Sequence, residues 1–391
     1  MRTFTSEERR VRLLLRHHIA PEARAGEPVQ VARDLVGLHS SDAASVYLAA
    51  WARVRDFQSE SLGQALYEDR SLLRILGMRR TMFVVPVDLA PVLHAAASLP
   101  LAARERRRLA QQIEAAGITD RGETWIREVE EQTLEALAAR GEATGSELSA
   151  MVPGLREQMH FGQGKKWEAM VSVTTRLLFT LAGEGRIVRG RPRGSWISTQ
   201  YRWALMESWL PGGLPELPMQ AARTELVGRW LKAFGPGTRA DMRWWTGWTF
   251  AEVDRSLAAL EAVEVRIDGS TAYVLPDDLE PAPPPAPAVA FLPALDPTVM
   301  GWTERGWYLG EHGPRLFDRA GNAGPSVWWD GRIVGGWAQR KDGQVVFRLL
   351  EDGGTEALRA AEAEADRLAR WLGPVRFIPR FRTPLEVELS R

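Results

Sequence analysis

The sequence contains no cysteine. That removes disulfides, thiolate-bound zinc and thiol nucleophiles together. It carries no excess charge of either sign: 50 Lys and Arg stand against 50 Asp and Glu. Net charge therefore gives no sign of a polyanionic partner, although local patches matter more than the sum. Histidine is scarce. Apart from the pair His17-His18 the six are scattered, with no HxxxH or HExxH spacing, so no metal and no cofactor are expected. No run of about 18 or more apolar residues exists, so no membrane span is expected. The first residues, Met1-Arg-Thr-Phe-Thr-Ser-Glu-Glu-Arg-Arg10, lack the apolar core of a secretory signal, which points to the cytoplasm.

What is present is ordinary for a globular chain: 45% hydrophobic and 26% charged residues, a balance that suits packed cores. The length fits two to four domains at roughly 150 residues each. Tryptophan is abundant. It gathers at Trp244, Trp245 and Trp248 and toward the C-terminus, as in small domains whose thin cores are filled by large rings.

Residues 5–19 read as a helix, opened by Ser6, Glu7 and Glu8 and carrying Val11, Leu13, Leu14 and Leu15. Val31, Leu35 and Leu38 then recur at helical spacing. Gly37 interrupts them, and His39, Ser40, Ser41 and Asp42 follow before a second helix over 43–54 with Val46, Leu48, Ala50 and Trp51 to bury. A short helix covers 59–67, and the β-rich stretch 72–85, with Gly77 at its bend, supplies a strand pair. Helices followed by a strand pair make a winged helix. The plan returns with helices over 120–139 and within 141–151, a recognition helix from Lys166 to Ala182, and a strand, basic tip and strand over 185–198. A third copy has a helix at 224–234, a turn and second helix within 235–248, a helix at 249–260 and a hairpin over 263–274 around Asp268-Gly269.

The expected fold is therefore α+β: three tandem winged-helix units followed by a small C-terminal β-barrel, or half-barrel, with a helix against it. The expected boundaries are 1–100, a basic linker helix at 101–120, then 121–212 and 213–278. A proline-rich, extended linker follows at 279–288, and a barrel domain at 289–391. In that last region strands are read at 289–292, 307–310, 326–329, 332–339 and 345–350, with hairpin signals at Asp330-Gly331 and Asp342-Gly343. A helix over 355–372 presents Leu358, Ala361, Ala365, Leu368 and Leu372 on one face.

Two basic patches stand out. Arg104, Arg106, Arg107 and Arg108 share the linker helix, and Arg186, Arg189, Arg191 and Arg193 line the second wing, whose residues 185–198 include no acid to partner them. Arg79 and Arg80 sit at the first bend. Guanidinium forks suit phosphate oxygens, and like charges crowded together repel until a polyanion relieves them. A solvated helix face accounts equally well for residues 104–108. The polar junction His39-Ser-Ser-Asp42 also has two readings. Ser41 and Asp42 are good N-caps for the following helix, and polar side chains at such a turn can face a cleft.

Several stretches together resemble the AlkZ-type winged-helix DNA glycosylases: Leu35-Val-Gly-Leu-His-Ser-Ser-Asp42 with Tyr47-Leu-Ala-Ala-Trp-Ala-Arg53; Gly77-Met-Arg-Arg-Thr-Met-Phe-Val-Val-Pro86; Leu292-Pro-Ala-Leu-Asp-Pro-Thr-Val-Met-Gly301; and Val327-Trp-Trp-Asp-Gly-Arg-Ile-Val-Gly-Gly-Trp337. The resemblance implies three winged helices and a barrel forming a C-shaped clamp on duplex DNA. It also implies hydrolysis of the N-glycosidic bond of alkylated purines, including bulky genotoxin adducts. The family's catalytic motif is Gln, a hydrophobic or small residue, then Gln or Asp. Here His39 and Ser41 take those positions, with Asp42 next.

An N7-alkylguanine is cationic and leaves readily, so polar groups suffice to place a water and oppose an oxocarbenium-like sugar. His39, with an ordinary pKa of about 6.5, is then the candidate general base. Ser41 would hold the water, and Asp42 would orient His39 or face the sugar. No lysine lies in the stretch, so a monofunctional enzyme is expected rather than a Schiff-base lyase. The expected partner is double-stranded DNA bearing an alkylated purine, met by a monomer at the nucleoid, in repair or self-resistance to a genotoxin. A DNA-binding protein or regulator without chemistry is the other reading.

Overall fold

The computed structural model describes residues 1–161 and 168–391. It is a mixed α+β fold with several small sheets. The first unit contains the helices Pro28–Asp34, Ala43–Trp51 and Ser59–Tyr67 and the hairpin Leu72–Leu76 with Met82–Pro86. A two-residue strand, Leu38–His39, pairs with the second hairpin strand. Both hairpin strands are buried at every position, which is why the segment is apolar on both faces apart from Arg74.

The second unit sets helices Gly122–Arg140, Gly145–Met151 and Val173–Gly183 against the strands Glu142–Thr144, Ile187–Pro192 and Tyr201–Leu205. The third sets Met219–Phe234, Arg239–Thr246 and Phe250–Ala259 against the hairpin Val263–Ile267 with Ser270–Val274. Helix starts are sharp where a threonine and an acid three residues on close a capping box: Thr144 with Glu147, Thr238 with Asp241, Thr249 with Glu252.

Three expectations change. The helix expected from Lys166 begins at Val173, because Ala169–Ser172 is a strand paired with Gln158–Phe161 and Ser172 caps the helix; Lys166 and Trp167 themselves lie outside the described residues. The second wing strand is Tyr201–Leu205, beyond the expected stretch 185–198, because Trp196 leaves the sheet to stack on Tyr47 at 4.8 Å and to meet Trp371 at 5.6 Å. The strand expected at 307–310 is the helical turn Gly306–Leu309, where Trp307 and Tyr308 both pack on Trp302.

Of the two C-terminal alternatives, the closed barrel is corrected. The strands Val289–Leu292, Ser326–Trp329, Arg332–Gln339 and Val345–Leu349 form an open antiparallel sheet in chain order, and among the described residues no barrel closes. The helix Gly354–Leu372 covers it with Ala357, Ala361, Ala365, Leu368 and Leu372, while Leu358 faces water. A further helix, Pro384–Leu389, buries Leu385 and Leu389.

Three features tie these parts together. The first unit, the third unit and the C-terminal sheet share one apolar core, which Val188, Ala204, Met206 and Trp209 of the second unit also enter; the rest of the second unit forms a second core, with Leu109 and Ile113 from the helix Leu99–Ala115 joining it. Inside the shared core, Arg53 meets Asp296 through two hydrogen bonds of 2.8 and 2.6 Å, both side chains fully buried. Arg53 also donates to the carbonyls of His17 and Ala49 and to Thr298. The chain start returns as well: Thr3–Phe4 pairs in parallel with Val263–Ile267.

Candidate active site

The polar junction is built by a strained turn. After the helix Pro28–Asp34, Val36 sits at φ 54° and Gly37 at 105°. A positive φ is uncommon for a β-branched residue and marks stored strain. Gly37 is needed there, since a Cβ would lie 2.8 Å from the Val85 side chain and 3.3 Å from the Val84 carbonyl. The turn delivers His39 opposite Phe83, and the Ser40 N–H extends the ladder to the Met82 carbonyl at 2.7 Å. Alternate side chains of an extended chain face opposite ways, so His39 and Ser40 part company.

Ser40, Ser41 and Asp42 open on a cleft of about 870 Å³. Its other walls are the start of the helix Gly145–Met151, the second wing with Arg189, Arg193, Tyr201 and Trp203, and a C-terminal segment with Ile378 and Arg380. Asp42 is the one carboxylate among these lining residues. Its Oδ1 accepts the Ala44 N–H at 3.1 Å as an N-cap, and its Oδ2 accepts the Arg380 N–H at 2.9 Å. The Arg380 guanidinium donates to the Ser41 carbonyl at 3.2 Å. Burial lifts the Asp42 pKa above its ordinary value, against the pull of those two N–H groups.

Further guanidinium groups stand around the cleft. Arg74, buried, donates to Ser40 Oγ at 2.8 Å and lies 4.8 Å from the Tyr201 ring centre. Arg189 lies over Tyr201 and Trp203, and its buried Nε has no partner. Burial pushes its pKa down to about 10, helped by repulsion from Arg74 and Arg380 and opposed by Tyr201. It stays charged at neutral pH. Guanidinium groups gathered in this way favour a polyanion.

His39 does not line the cleft. Its ring lies 5.7 Å from Phe83, its Nδ1 is buried without a partner, and it shares no hydrogen bond with Asp42. Burial first, and Arg79 second, push its pKa down to about 3. A base near neutrality is thus not found there: the imidazole is neutral at pH 7 and holds a proton only weakly.

The other arginines divide. The hairpin tip Met78-Arg79-Arg80-Thr81 closes with the Thr81 N–H on the Met78 carbonyl, and Arg79 and Arg80 both take positive φ, 54° and 62°. Asn-Gly is the usual pair in such a turn. Arg79 lies 4.1 Å from the Trp244 ring centre, and Arg80 pairs with Glu105 at 3.1 Å. Together with Arg104, Arg107 and Arg108 they line a second cleft of about 930 Å³. Those three stay exposed, without an acidic partner among the described residues, whereas Arg106 turns inward to Glu184 and Glu130.

On the wing, the absence of acid partners does not hold. Arg186 lies 3.8 Å from Glu130, and Arg191 lies 2.5 Å from Glu68. The fold supplies acids that the local sequence does not show. Arg193 is exposed and lines the first cleft. Sequence reasoning missed Arg74, Tyr201, Trp203, Ile378 and Arg380. Only Arg74 lies near the junction in the chain, and nothing local marks a residue that reaches Asp42 from 338 positions away. Among the described residues no cluster of His, Asp or Glu is placed to hold a metal, and no helix is long and apolar enough to cross a membrane.

Comparison with known proteins bears on this geometry. No curated protein matches the sequence. Among solved structures, the DNA glycosylase AlkZ of Streptomyces sahachiroi superposes with a TM-score of 0.72 at 22% identity, over 96% of this chain and 99% of that one. That likeness concerns the fold. The family model described as "DNA glycosylase AlkZ-like" matches residues 32–371, a span that holds the junction, both arginine-lined clefts except the Ile378–Arg380 wall, and the C-terminal sheet. The chain belongs to the AlkZ-like DNA glycosylase family.

Proposed function

We propose that this DNA glycosylase hydrolyses the N-glycosidic bond of alkylated purines, N7-alkylguanine and bulkier genotoxin adducts among them, in duplex DNA. In this reading it works as a monomer at the nucleoid, and its three helix-and-sheet units act as winged helices on the duplex. Base excision of such adducts serves repair or self-resistance.

The reaction breaks the bond between C1′ and N9. The bonding pair moves onto the purine, whose alkylated ring is cationic and becomes neutral as it leaves. The sugar takes up positive charge, which Asp42 opposes across the cleft. Water then forms the new bond to C1′ and gives its proton to Asp42 or to solvent. A carboxylate with a raised pKa takes that proton more readily than an ordinary one. Ser41 helps hold the water. His39, neutral and behind the wall, supports the junction through packing on Phe83.

Phosphates are held by Arg189, Arg193 and Arg380 at the first cleft and by Arg79, Arg80, Arg104, Arg107 and Arg108 at the second. Arg186 and Arg191 contribute once DNA displaces their acid partners. The observation that carries the reading is the Asp42 carboxylate, buried and double-anchored, on a cleft walled by guanidinium groups. The test is base release from duplex DNA containing N7-methylguanine. Wild type releases free base and leaves abasic sites, and Asp42→Ala does not. Binding without release from either a methyl or a bulky adduct overturns the reading.

A further inference from the structure

The stretch between the helices Gly354–Leu372 and Pro384–Leu389 forms no helix or strand, yet it is firmly pinned. Gln339, buried at the end of its strand, uses both ends of its amide on it. Nε2 donates to the Val375 carbonyl at 3.0 Å, and Oε1 accepts the Phe377 N–H at 3.1 Å. The Phe377 ring meets Trp337 edge-on at 6.1 Å. Pro379 is buried, and the Arg380 N–H ends on Asp42.

Between these anchors Ile378 is 67% exposed and lines the mouth of the Asp42 cleft. Leaving a large aliphatic side chain in water forgoes the free energy of burying it. A segment fixed on both sides cannot fold the side chain away. Arg193 and Arg380 line the same cleft. A rigid apolar prong with guanidinium groups beside it matches one surface: stacked bases edged by phosphates. Isoleucine, leucine and methionine wedges enter such stacks and unstack a base step.

We propose that Ile378 is the residue that enters the base stack beside the lesion, and that the main-chain N–H of Arg380, two residues on, aligns Asp42 with the exposed sugar. The same short segment then senses the weakened stack and sets the carboxylate. The proposal rests on the glycosylase reading of the cleft, and its test keeps the two apart.

The probe is a duplex with one N7-methylguanine and 2-aminopurine as its neighbour. Wild type brightens the 2-aminopurine on binding, because unstacking relieves its quenching. Ile378→Ala binds without brightening it, and Ile378→Leu restores the signal. Release from the duplex falls on the order of ten-fold or more in Ile378→Ala, for want of the wedge. Release from the same strand unpaired stays within about two-fold, since no stack opposes it there. Ile378 is exposed, so unchanged melting temperatures confirm that the variants fold. Brightening that is absent in wild type, or equal in wild type and Ile378→Ala, overturns the proposal. Brightening by wild type with no base release supports the wedge and removes the glycosylase reading instead.

Discussion

Asp42 serves as a helix cap and faces a cleft, and the two roles separate by substitution. Asp42→Asn keeps an oxygen for the Ala44 N–H but leaves the Arg380 N–H facing an amide, so it costs about 1 kcal/mol of stability. Asp42→Ala loses both acceptors and costs about 2 kcal/mol. If the carboxylate does chemistry, both variants lose base release by roughly 10²-fold or more; if it only caps, Asp42→Asn stays active. His39 yields a pH prediction. Its folded pKa of about 3 lies below the unfolded value of about 6.5. The unfolded chain therefore binds the extra proton, and the stability held above about pH 6.5 is lost as pH falls from there toward 3. Urea unfolding at pH 7, 6 and 5 should show this. His39→Gln should reduce the slope by one proton, about 1.4 kcal/mol per pH unit. An unchanged slope means that His39 is not held neutral.

At the scale of elements, most helices and hairpins were legible because their punctuation is local. The helix Ser59–Tyr67 and the hairpin around Asp268-Gly269 fall where the sequence places them. The failures are tertiary: Trp196 is drawn out of the wing by Tyr47 and Trp371, and Trp307 is folded into a helical turn by Trp302. A sheet's closure depends on its edges, which no local pattern reveals, and so the expected barrel is an open sheet. Of the site, the junction was legible as a polar turn with Gly37 in it. Which of its side chains reach the cleft was not, because one residue of register decides between His39 and Ser40.

Two stretches that carry the family resemblance meet through Arg53 and Asp296, fully buried and lining neither cleft, so the pair joins the first unit to the C-terminal part. Asp296→Ala strands a buried guanidinium and should cost about 3–5 kcal/mol in denaturant unfolding. A cost under about 1 kcal/mol shows that the pair is dispensable. Gly37→Ala should cost about 1–3 kcal/mol through its positive φ and the contact with Val85.

For the whole molecule, a zero net charge hides a strongly uneven surface. The exposed arginines of the helix Leu99–Ala115 have no acid partner among the described residues, while their neighbour Arg106 is neutralised inside. If Arg104, Arg107 and Arg108 each hold a phosphate, changing all three to Ala lowers the slope of log affinity against log salt by about 0.9 for each phosphate no longer neutralised. The drop in affinity should be the same for any duplex sequence. An unchanged slope assigns those residues to a solvated face.

The pairing of Thr3–Phe4 with Val263–Ile267 bears on synthesis. A growing polypeptide exposes its first strand long before the partner leaves the ribosome, and Arg53 waits equally long for Asp296. The second unit, with most of its apolar side chains in a separate core, is the part freest to settle early. The remainder is completed only when residues 263–267 and 296 have emerged, and until then the early segments stay unpaired and exposed to wrong partners. A duplicated or swapped N-terminal arm would accordingly disturb the third unit's hairpin first.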